Sequence, residues 1–332
     1  MAERVLVTGG CGYIGTHVVA LLLELGHRVV VLDDLSRGSV EALKRAESLG
    51  GRLAQLAVCD LTDGGETRRV VADCRPSVVL HLAAYKSVAE SVASPDRYRD
   101  VNVGGTASLI EALTAEYVER VVYASTGCVY ASTDAPLTED AELGPTSPYA
   151  QTKLEGEGLL QAFAEQRRAG VVSLRFFNVA GAHPSGLLGD AASPARNLVP
   201  AALGALADDQ PLQVFGRDWP TRDGTCVRDY VHVMDVAWGL IDAMEQTFIH
   251  GSHRRWNLGT GRGATVLEVL AAAERATGRA AALVDAPRRP GDPASLVADA
   301  SRAAGELGWV PRFGLDDMLA HAWAWEQHRR SV

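Results

Sequence analysis

The sequence predicts an α/β fold: a doubly wound parallel sheet followed by a smaller C-terminal α/β domain. Three observations carry that expectation. Over residues 1–180, short β-branched runs alternate with helical patterns. The runs are apolar almost throughout, as in strands buried on both faces of a parallel sheet. A glycine-rich turn separates the first run from the first helical pattern.

Taken in order, the runs are RVLVTG from Arg4, RVVVLD from Arg28, RLAQLAV from Arg52, SVVLHLA from Ser77, RVVYAS from Arg120 and VVSLRF from Val171. Turn or charged residues bound each one. Helical periodicity lies between them, over 13–25, 63–74, 98–115 and 149–169. Beyond residue 180 the texture changes. GAHPSGLLGDAASPARN reads as loop and GRDWPTRDGTCVRDY carries turn residues. Helical patterns return at 234–246, 265–277 and 314–330. The division expected is therefore a first domain over 1–180 and a second over 181–332, with 231–260 returning to the first. No internal repeat or low-complexity segment is visible.

Bulk properties narrow the function. The chain has 332 residues, 47% of them apolar, enough for a sizeable core. A net charge of −9 argues against a nucleic-acid or anionic-membrane surface. No apolar run reaches the ~18 residues of a spanning helix, and MAERVLVTGG lacks the basic start and cleavage site of a signal peptide. The five cysteines are scattered and never C-x-x-C, which fits reduced thiols in a cytoplasm and no metal site. Of 32 basic residues only Lys44, Lys86 and Lys153 are lysines.

VLVTGGCGYIGTH places Gly9, Gly10, Gly12 and Gly15 between the first strand and the first helix. Gly10-x-Gly12-x-x-Gly15 has dinucleotide spacing: glycines allow the tight turn and let a pyrophosphate reach the helix N-terminus. Asp33 closes the second strand, 18 residues after Gly15, placed to accept the ribose hydroxyls of NAD. A 2′-phosphate would meet Asp33 and Asp34, although Arg37 nearby could admit it. This is the NAD-binding Rossmann pattern. Asp60, after the third strand, is a candidate adenine contact or else a helix N-cap.

SPYAQTKLEGE holds Tyr149 and Lys153 at i, i+4, on one helix face. With eight tyrosines and three lysines, roughly 0.07 such pairs are expected by chance. A free phenol has a pKa of about 10, too high for a base at neutral pH. A neighbouring ammonium and a nicotinamide cation both favour phenolate. The hydroxyls of Ser125 and Thr126, at the end of the fifth strand, are candidates to bridge substrate and Tyr149.

In order, TGGCGYIG, DL, HLAA, a hydroxyl triplet and Tyr-x-x-x-Lys resemble the extended short-chain dehydrogenase/reductase family. Within it the chain is similar to the UDP-sugar 4-epimerases that act on UDP-glucose and UDP-galactose, from residue 5 to about 325. The more specific pieces are LRFFNVAGAHPSG, ARNLVP, VFGRDWPTRDGTCVRDYVHVMD, NLGTG, APRRPGD and ADASRAAGELGW. The resemblance implies a Rossmann fold, NAD as cofactor and a UDP-sugar as substrate. It implies Tyr149 as base, Lys153 on the nicotinamide ribose, and Thr126 where the family usually has a serine. It sets Gly9, Gly12, Tyr13, Ile14, Gly15, Leu82, Ala83 and Phe176 about the cofactor, with Lys86 toward the pyrophosphate. Asn178, Asn197 and Leu198 become nucleotide-sugar contacts, Phe215 lies by uracil, Arg228 and Arg289 take the diphosphate, and Asp292 lies near the uridine ribose. Plainer roles stand beside these. Asn178 caps a strand end, Phe215 is core, or Arg228 pairs with Asp229 or another acid. His232 reads as structural. Leu296, by resemblance, walls the sugar pocket near carbon 2, unless it packs away from it. The helices over 98–115 and 149–169 imply a four-helix homodimer contact. Phe176, Ala131 and Ala124 depart from the family's usual Tyr, Gly and Ser.

By the same resemblance, dehydratases carry Asp-Glu directly after the threonine, and decarboxylases a Glu at the place of Cys128. Gly127 and Cys128 supply no acid for elimination. The expected reaction is oxidation at carbon 4, turnover of the ketose and reduction on its other face. The alternatives are another UDP-sugar, an N-acetylhexosamine or a uronic acid, and a non-catalytic NAD-sensing protein.

Overall fold

The structure, a computed structural model, describes residues 2–133, 135–192, 197–280, 282–289 and 292–331. The chain begins β1 (Arg4–Thr8), α1 (Tyr13–Glu24), β2 (Arg28–Asp33), α2 (Val40–Gly50), β3 (Gln55–Val58), α3 (Gly64–Cys74) and β4 (Val78–His81). It continues with α4 (Val88–Ala93), α5 (Pro95–Arg99), α6 (Gly105–Ala115), β5 (Arg120–Thr126), α7 (Pro148–Arg167), β6 (Gly170–Phe176) and β7 (Asn178–Ala180). Then follow α8 (Leu198–Ala207), β8 (Leu212–Phe215), β9 (Val227–His232), α9 (Val233–Gln246), β10 (Ser252–Leu258), β11 (Gly263–Thr265), α10 (Val266–Thr277), β12 (Leu283–Ala286), β13 (Ser295–Leu296), α11 (Ser301–Leu307) and α12 (Leu315–Ser331).

Two compact units emerge. The first comprises Met1–Val129, Pro145–Arg175 and Ala237–Trp256; the second comprises Tyr130–Gly144, Phe176–Val236 and Asn257–Val332. The sequence drew its boundary at 180 and its returning segment over 231–260. Here Tyr130–Gly144 groups with the second unit, and the segment that returns is Ala237–Trp256.

The first unit is organised on a seven-stranded sheet in the order β10-β6-β5-β4-β1-β2-β3. β1 runs parallel to both β2 and β4, β2 to β3, and β4 to β5. β5 and β6 are buried at every position, as their apolar runs require. β3 is the edge; it starts at Gln55 rather than Arg52 and stays half-exposed. The order turns back between β1 and β4, so the loops after these two strands form the topological switch point, where α/β sheets bind ligands.

The helix expected over 98–115 is broken. α5 and α6 are joined by a π-helical turn over Asp100–Gly104. Buried Asn102 explains it. Its Oδ1 accepts from the Tyr85 amide at 2.8 Å, and its Nδ2 donates to the Tyr85 carbonyl and to Thr152 Oγ1 at 3.0 and 2.9 Å. A side chain tied in three directions holds the helix off its regular register.

The second unit has β9 at its centre, parallel to β7 and β13 and antiparallel to β11. β8 and β12 form a separate parallel pair. Leu203, Val269, Leu270, Met318 and Leu319 bring α8, α10 and α12 into one core. α8 and α11 lay outside the expected patterns. LVPAALGALA is apolar all round and shows no period, and SRAAGEL is too short to show one.

The seating of α7 on β5 depends on Gly156. A Cβ there would stand 2.4 Å from the Tyr123 hydroxyl, whereas one on exposed Gly158 meets nothing within 4 Å. Gly156→Ala is therefore expected to destabilise by about 1–3 kcal/mol through overpacking. Gly158→Ala should stabilise by about 0.5–1 kcal/mol through helix propensity. Thermal melting of the two variants decides it; shifts of the same sign would refute the packing account.

Candidate active site

The first unit gathers the glycine loop at the switch point. Gly9 adopts φ +70°, and a Cβ there would lie 2.7 Å from the Ala83 amide nitrogen; one on Gly15 would lie 2.2 Å from the Gly9 carbonyl oxygen. The Leu82 amide donates to the Thr8 carbonyl and that of Ala83 to Thr8 Oγ1, so the loops after β1 and β4 are held together. Gly12, the N-cap of α1, has no side chain to cover the first amides of that helix. Tyr13 and Ile14, both half-buried, form its first turn. Lys86 Nζ stands 5.5 Å from the centre of the Tyr13 ring, which brings a cation to the same end of α1. A helix N-terminus without a side-chain cap and this ammonium suit a pyrophosphate.

Asp33 is buried at the end of β2 and accepts from the amides of Cys11 and Leu35, both at 2.9 Å. Burial pushes its carboxyl above the ordinary range, while these two bonds pull it back. Each oxygen retains a lone pair for a ribose hydroxyl. Arg37 is already engaged, ion-paired with Glu90 and 4.9 Å over the Tyr85 ring. Asp60 is exposed and accepts from the Thr62 amide at 2.8 Å; the cap of α3 is Asp63. The cradle therefore fits NAD.

Thr126, Tyr149 and Lys153 meet where β5 ends and α7 begins. Ser147 caps α7 by accepting from the Ala150 amide, which fixes Tyr149 in the first turn. Thr126 Oγ1 accepts from the Cys128 amide at 3.2 Å, and this side chain lies near enough to act on the Tyr149 phenol. Burial pushes the phenol up, Cys128 adds to the rise, and the neighbouring Thr126 side chain opposes it. Buried Lys153 holds Nζ 4.4 Å from the Tyr123 ring centre. Burial brings it down to about 7, against the pull of Glu157. The chain's own groups thus move both side chains toward neutrality, opposite to the direction the sequence expected for the phenol.

Ser125, the other candidate hydroxyl, is engaged elsewhere: its Oγ donates to Glu157 Oε1 at 2.5 Å. Glu157 also receives Arg175 through two bonds, 3.0 and 2.7 Å, and Arg255 at 3.3 Å. The Glu157 and Arg175 side chains are each only 2% exposed. Burial alone would raise the Glu157 carboxyl, but Arg175 and Ser125 hold it below its usual range. The sequence reading missed this pair. Its signals were an acid four residues beyond Lys153 on the buried face of a helix, and an arginine inside the apolar run VVSLRF.

The second unit gathers another set. Arg228 Nη1 donates to the carbonyls of Val227 and Pro293 at 2.8 and 2.9 Å, and Nη2 lies 3.6 Å from Asp292 Oδ1. Its neighbour Asp229 is taken by other partners, the amides of Thr260, Gly261 and Ala298 and the Thr260 hydroxyl. Arg289 is exposed and lies 4.1 Å over the Phe215 ring at the end of β8. Leu296 is buried and paired in register with Arg228, so the two side chains leave the same face of the sheet. Asn178 opens β7 opposite Tyr230. Asn197 is the N-cap of α8, yet its side chain does not cap; half-buried Leu198 follows. Phe176 is buried at the end of β6. His232 is structural: its Nδ1 accepts from the Met234 amide at 3.0 Å and its ring packs 4.3 Å from that of Phe313. Arg196, Pro290 and Gly291 of the quoted motifs lie outside the described residues. Among the described residues no cluster of metal-ligating side chains occurs.

Residues 5–259 match the model of the NAD dependent epimerase/dehydratase family. The chain is 42% identical over 326 residues to the UDP-glucose 4-epimerase of Bacillus subtilis (strain 168), covering 97% of this chain and 96% of that one. Two solved structures superpose along nearly its whole length. One is the UDP-glucose-4-epimerase of Stenotrophomonas maltophila with bound NAD and formylated UDP-arabinopyranose, with a TM-score of 0.95 and 38% identity over 99% of this chain and 100% of that one. The other is the UDP-glucose 4-epimerase of Bifidobacterium longum in complex with NAD+ and UDP, with a TM-score of 0.94 and 38% identity over 98% of both chains.

His81 gives this region a pH dependence. It is buried between Thr8 Oγ1 at 2.7 Å and Thr106 Oγ1 at 3.0 Å, and burial with the Lys153 charge brings it down to about 3. The unfolded chain takes up this proton near pH 6.5 and the folded one only near 3, so stability is full above 6.5 and falls as pH drops between the two. The slope is up to ~1.4 kcal/mol per pH unit. His253, also brought down to about 3, adds its own share. His81→Asn should lower stability at pH 7 yet flatten the loss toward pH 4. Denaturant unfolding at stepped pH reads this, and an equally steep loss in the variant would refute it.

Proposed function

The chain belongs to the NAD dependent epimerase/dehydratase family, and from that premise we propose that it interconverts UDP-glucose and UDP-galactose through a 4-keto intermediate. One observation carries the reading. The hydroxyl pair of Thr126 and Tyr149 is followed by Gly127 and Cys128, so no carboxylate accompanies it at the turn after β5. Proton and hydride can leave carbon 4 and return, but this turn brings no acid to eliminate water.

The residues take these roles in the proposal. Tyr149 removes the proton of the hydroxyl on carbon 4 and later returns it, with Thr126 orienting that hydroxyl. Bound NAD supplies the hydride acceptor and donor, and its nicotinamide cation supplies the downward pull on the phenol that the chain alone does not. Lys153 adds to that pull as an ammonium and holds the nicotinamide ribose. Asp33 takes the adenosine ribose, Asp60 the adenine, and Lys86 with the first turn of α1 the pyrophosphate. Arg228 and Arg289 grip the substrate diphosphate, and their forks suit that anion. Phe215 with Arg289 forms a stacking edge for uracil, while Asp292, Asn178, Asn197 and Leu198 complete the nucleotide-sugar contacts. A homodimer through α6 and α7 and a cytoplasmic location complete the reading. The resemblance supports the first, and sedimentation equilibrium reads it. Cysteines without disulfides and the absence, among the described residues, of a helix able to cross a membrane agree with the second.

Conversion of UDP-galactose to UDP-glucose by the purified protein, with no net NADH formed, tests the activity itself. Tyr149→Phe should abolish turnover while NAD and UDP binding persist; near-normal activity would remove Tyr149 from the chemistry. Thr126→Ser should stay active and Thr126→Val should lose most activity, because the hydroxyl is what is used.

A second reading concerns sugar range and rests on Leu296, which shares a sheet face with Arg228. A wall of intermediate size admits the plain hexose and hinders an N-acetyl group. Overpacking costs about 1–3 kcal/mol, roughly tenfold to a hundredfold in rate. UDP-galactose should be the better substrate and UDP-N-acetylgalactosamine a weak one. Leu296→Tyr should suppress the acetylated sugar selectively and Leu296→Ser should raise it. The ratio of the two kcat/KM values measures this; an unchanged ratio means that Leu296 does not set sugar choice.

A further inference from the structure

We propose that Glu157 is a positioning residue for the Tyr149–Lys153 pair, its buried carboxylate serving as the fixed anion that keeps Lys153 an ammonium and ties down the end of β5. The inference rests on the roles given to Tyr149 and Lys153 above.

Three observations carry it. Tyr149, Lys153 and Glu157 follow at i, i+4 and i+8 on α7 and share one face, with Glu157 about 6 Å further along the axis than Lys153. The carboxylate is fixed. Arg175 reaches it from β6 through two bonds, Arg255 from β10 and Ser125 from β5. Its bond with Ser125 holds the residue next to Thr126, so the hydroxyl that faces Tyr149 is set by an anion one helical turn beyond Lys153.

The groups around Lys153 leave Glu157 the anionic part. His81 on β4 is neutral at working pH and Tyr123 on β5 offers a ring face. Tyr149 is a phenol in the field of the chain alone, because burial raises it, and becomes a second anion only beside the nicotinamide cation. Glu157 is the one carboxylate whose charge bears on Lys153 among the described residues. Around Glu157 itself stand Arg175, Arg255, His253, Ser125 and Tyr123, and His253 is neutral. The two arginines hold the carboxylate ionised but offset its field. Removing the anion and removing one of its cations must therefore act on Lys153 in opposite directions. A purely structural part for the pair gives no such opposition.

The test uses the holoenzyme and the pH profile of kcat for UDP-galactose. Glu157→Gln should move the alkaline limb, where Lys153 loses its proton, down by about one pH unit or more. Arg255→Gln, at a side chain 32% exposed, should move it up by a smaller amount. Glu157→Asp keeps the charge and should restore most of the wild-type limb. KM should change less than kcat, since the substrate grip lies elsewhere in the chain. NAD retained after dialysis at stepped pH should fall along the same limbs. Limbs that stay in place, or move the same way in both Gln variants, overturn the proposal. Should Glu157→Gln fail to fold, the direction of the Arg255→Gln shift decides alone. A wild-type protein without turnover would overturn the assigned activity instead, and NAD retention would still test Glu157.

Discussion

How closely α7 lies on β5 governs the chemistry of the first unit. The helix has no side chain at Gly156, because the Tyr123 hydroxyl occupies the place a Cβ would take. That approach sets Lys153 over the Tyr123 ring and sends Glu157 into the sheet, where Arg175 and Ser125 meet it. It also sets Tyr149, in the first turn, against Thr126 at the end of β5. Asn102 braces the arrangement from the other side through Thr152, the residue before Lys153, and the π-helical turn is the distortion that this brace requires. One packing distance therefore fixes four side chains at once.

Such a site is electrostatically expensive, and the structure shows how the expense is contained. A buried lysine tends to lose its proton and a buried carboxylate to gain one. Lys153 comes down to about 7, so its charge depends on neighbours. Glu157 resists its own burial because a guanidinium fork answers both oxygens, the geometry in which Arg outperforms Lys. Two arginines for one carboxylate leave a surplus of positive charge, and Arg255 carries its part of it at a half-exposed position, where solvent screens it.

The legible parts of this chain were those with a period or a fixed spacing. Six apolar runs became six strands of the main sheet, and Tyr149 and Lys153 came from one i, i+4 pattern. What stayed hidden was set by tertiary partners. The π-helical turn follows from what Asn102 touches, which no local pattern announces. Ser125 and Thr126 were alike as neighbouring hydroxyls, with the resemblance alone favouring Thr126, and the bond of Ser125 to Glu157 now separates them physically. Arg228 had an adjacent acid in Asp229, but four donors from Thr260, Gly261 and Ala298 occupy that carboxylate, and the arginine turns toward Asp292 instead. α8 escaped notice because a helix apolar on every side has no face to reveal it.

A reaction that returns its cofactor unchanged makes two opposed demands: the groups that move the proton must not move, and the ketose must turn over between two reductions. The two sets of residues divide along that line. Thr126, Lys153, Glu157 and Arg175 are buried and answered by fixed partners. Arg289 is exposed and held by a ring face, a contact that tolerates sliding, and Arg228 keeps, among the described residues, a long contact with Asp292 beyond its backbone bonds. In the proposed role of these forks, a diphosphate would replace Asp292 as the partner of Arg228 without stranding a buried charge, because Asp292 remains accessible to water. Under the proposed roles the nucleotide would be gripped by groups that can exchange partners, and the proton handled by groups that cannot.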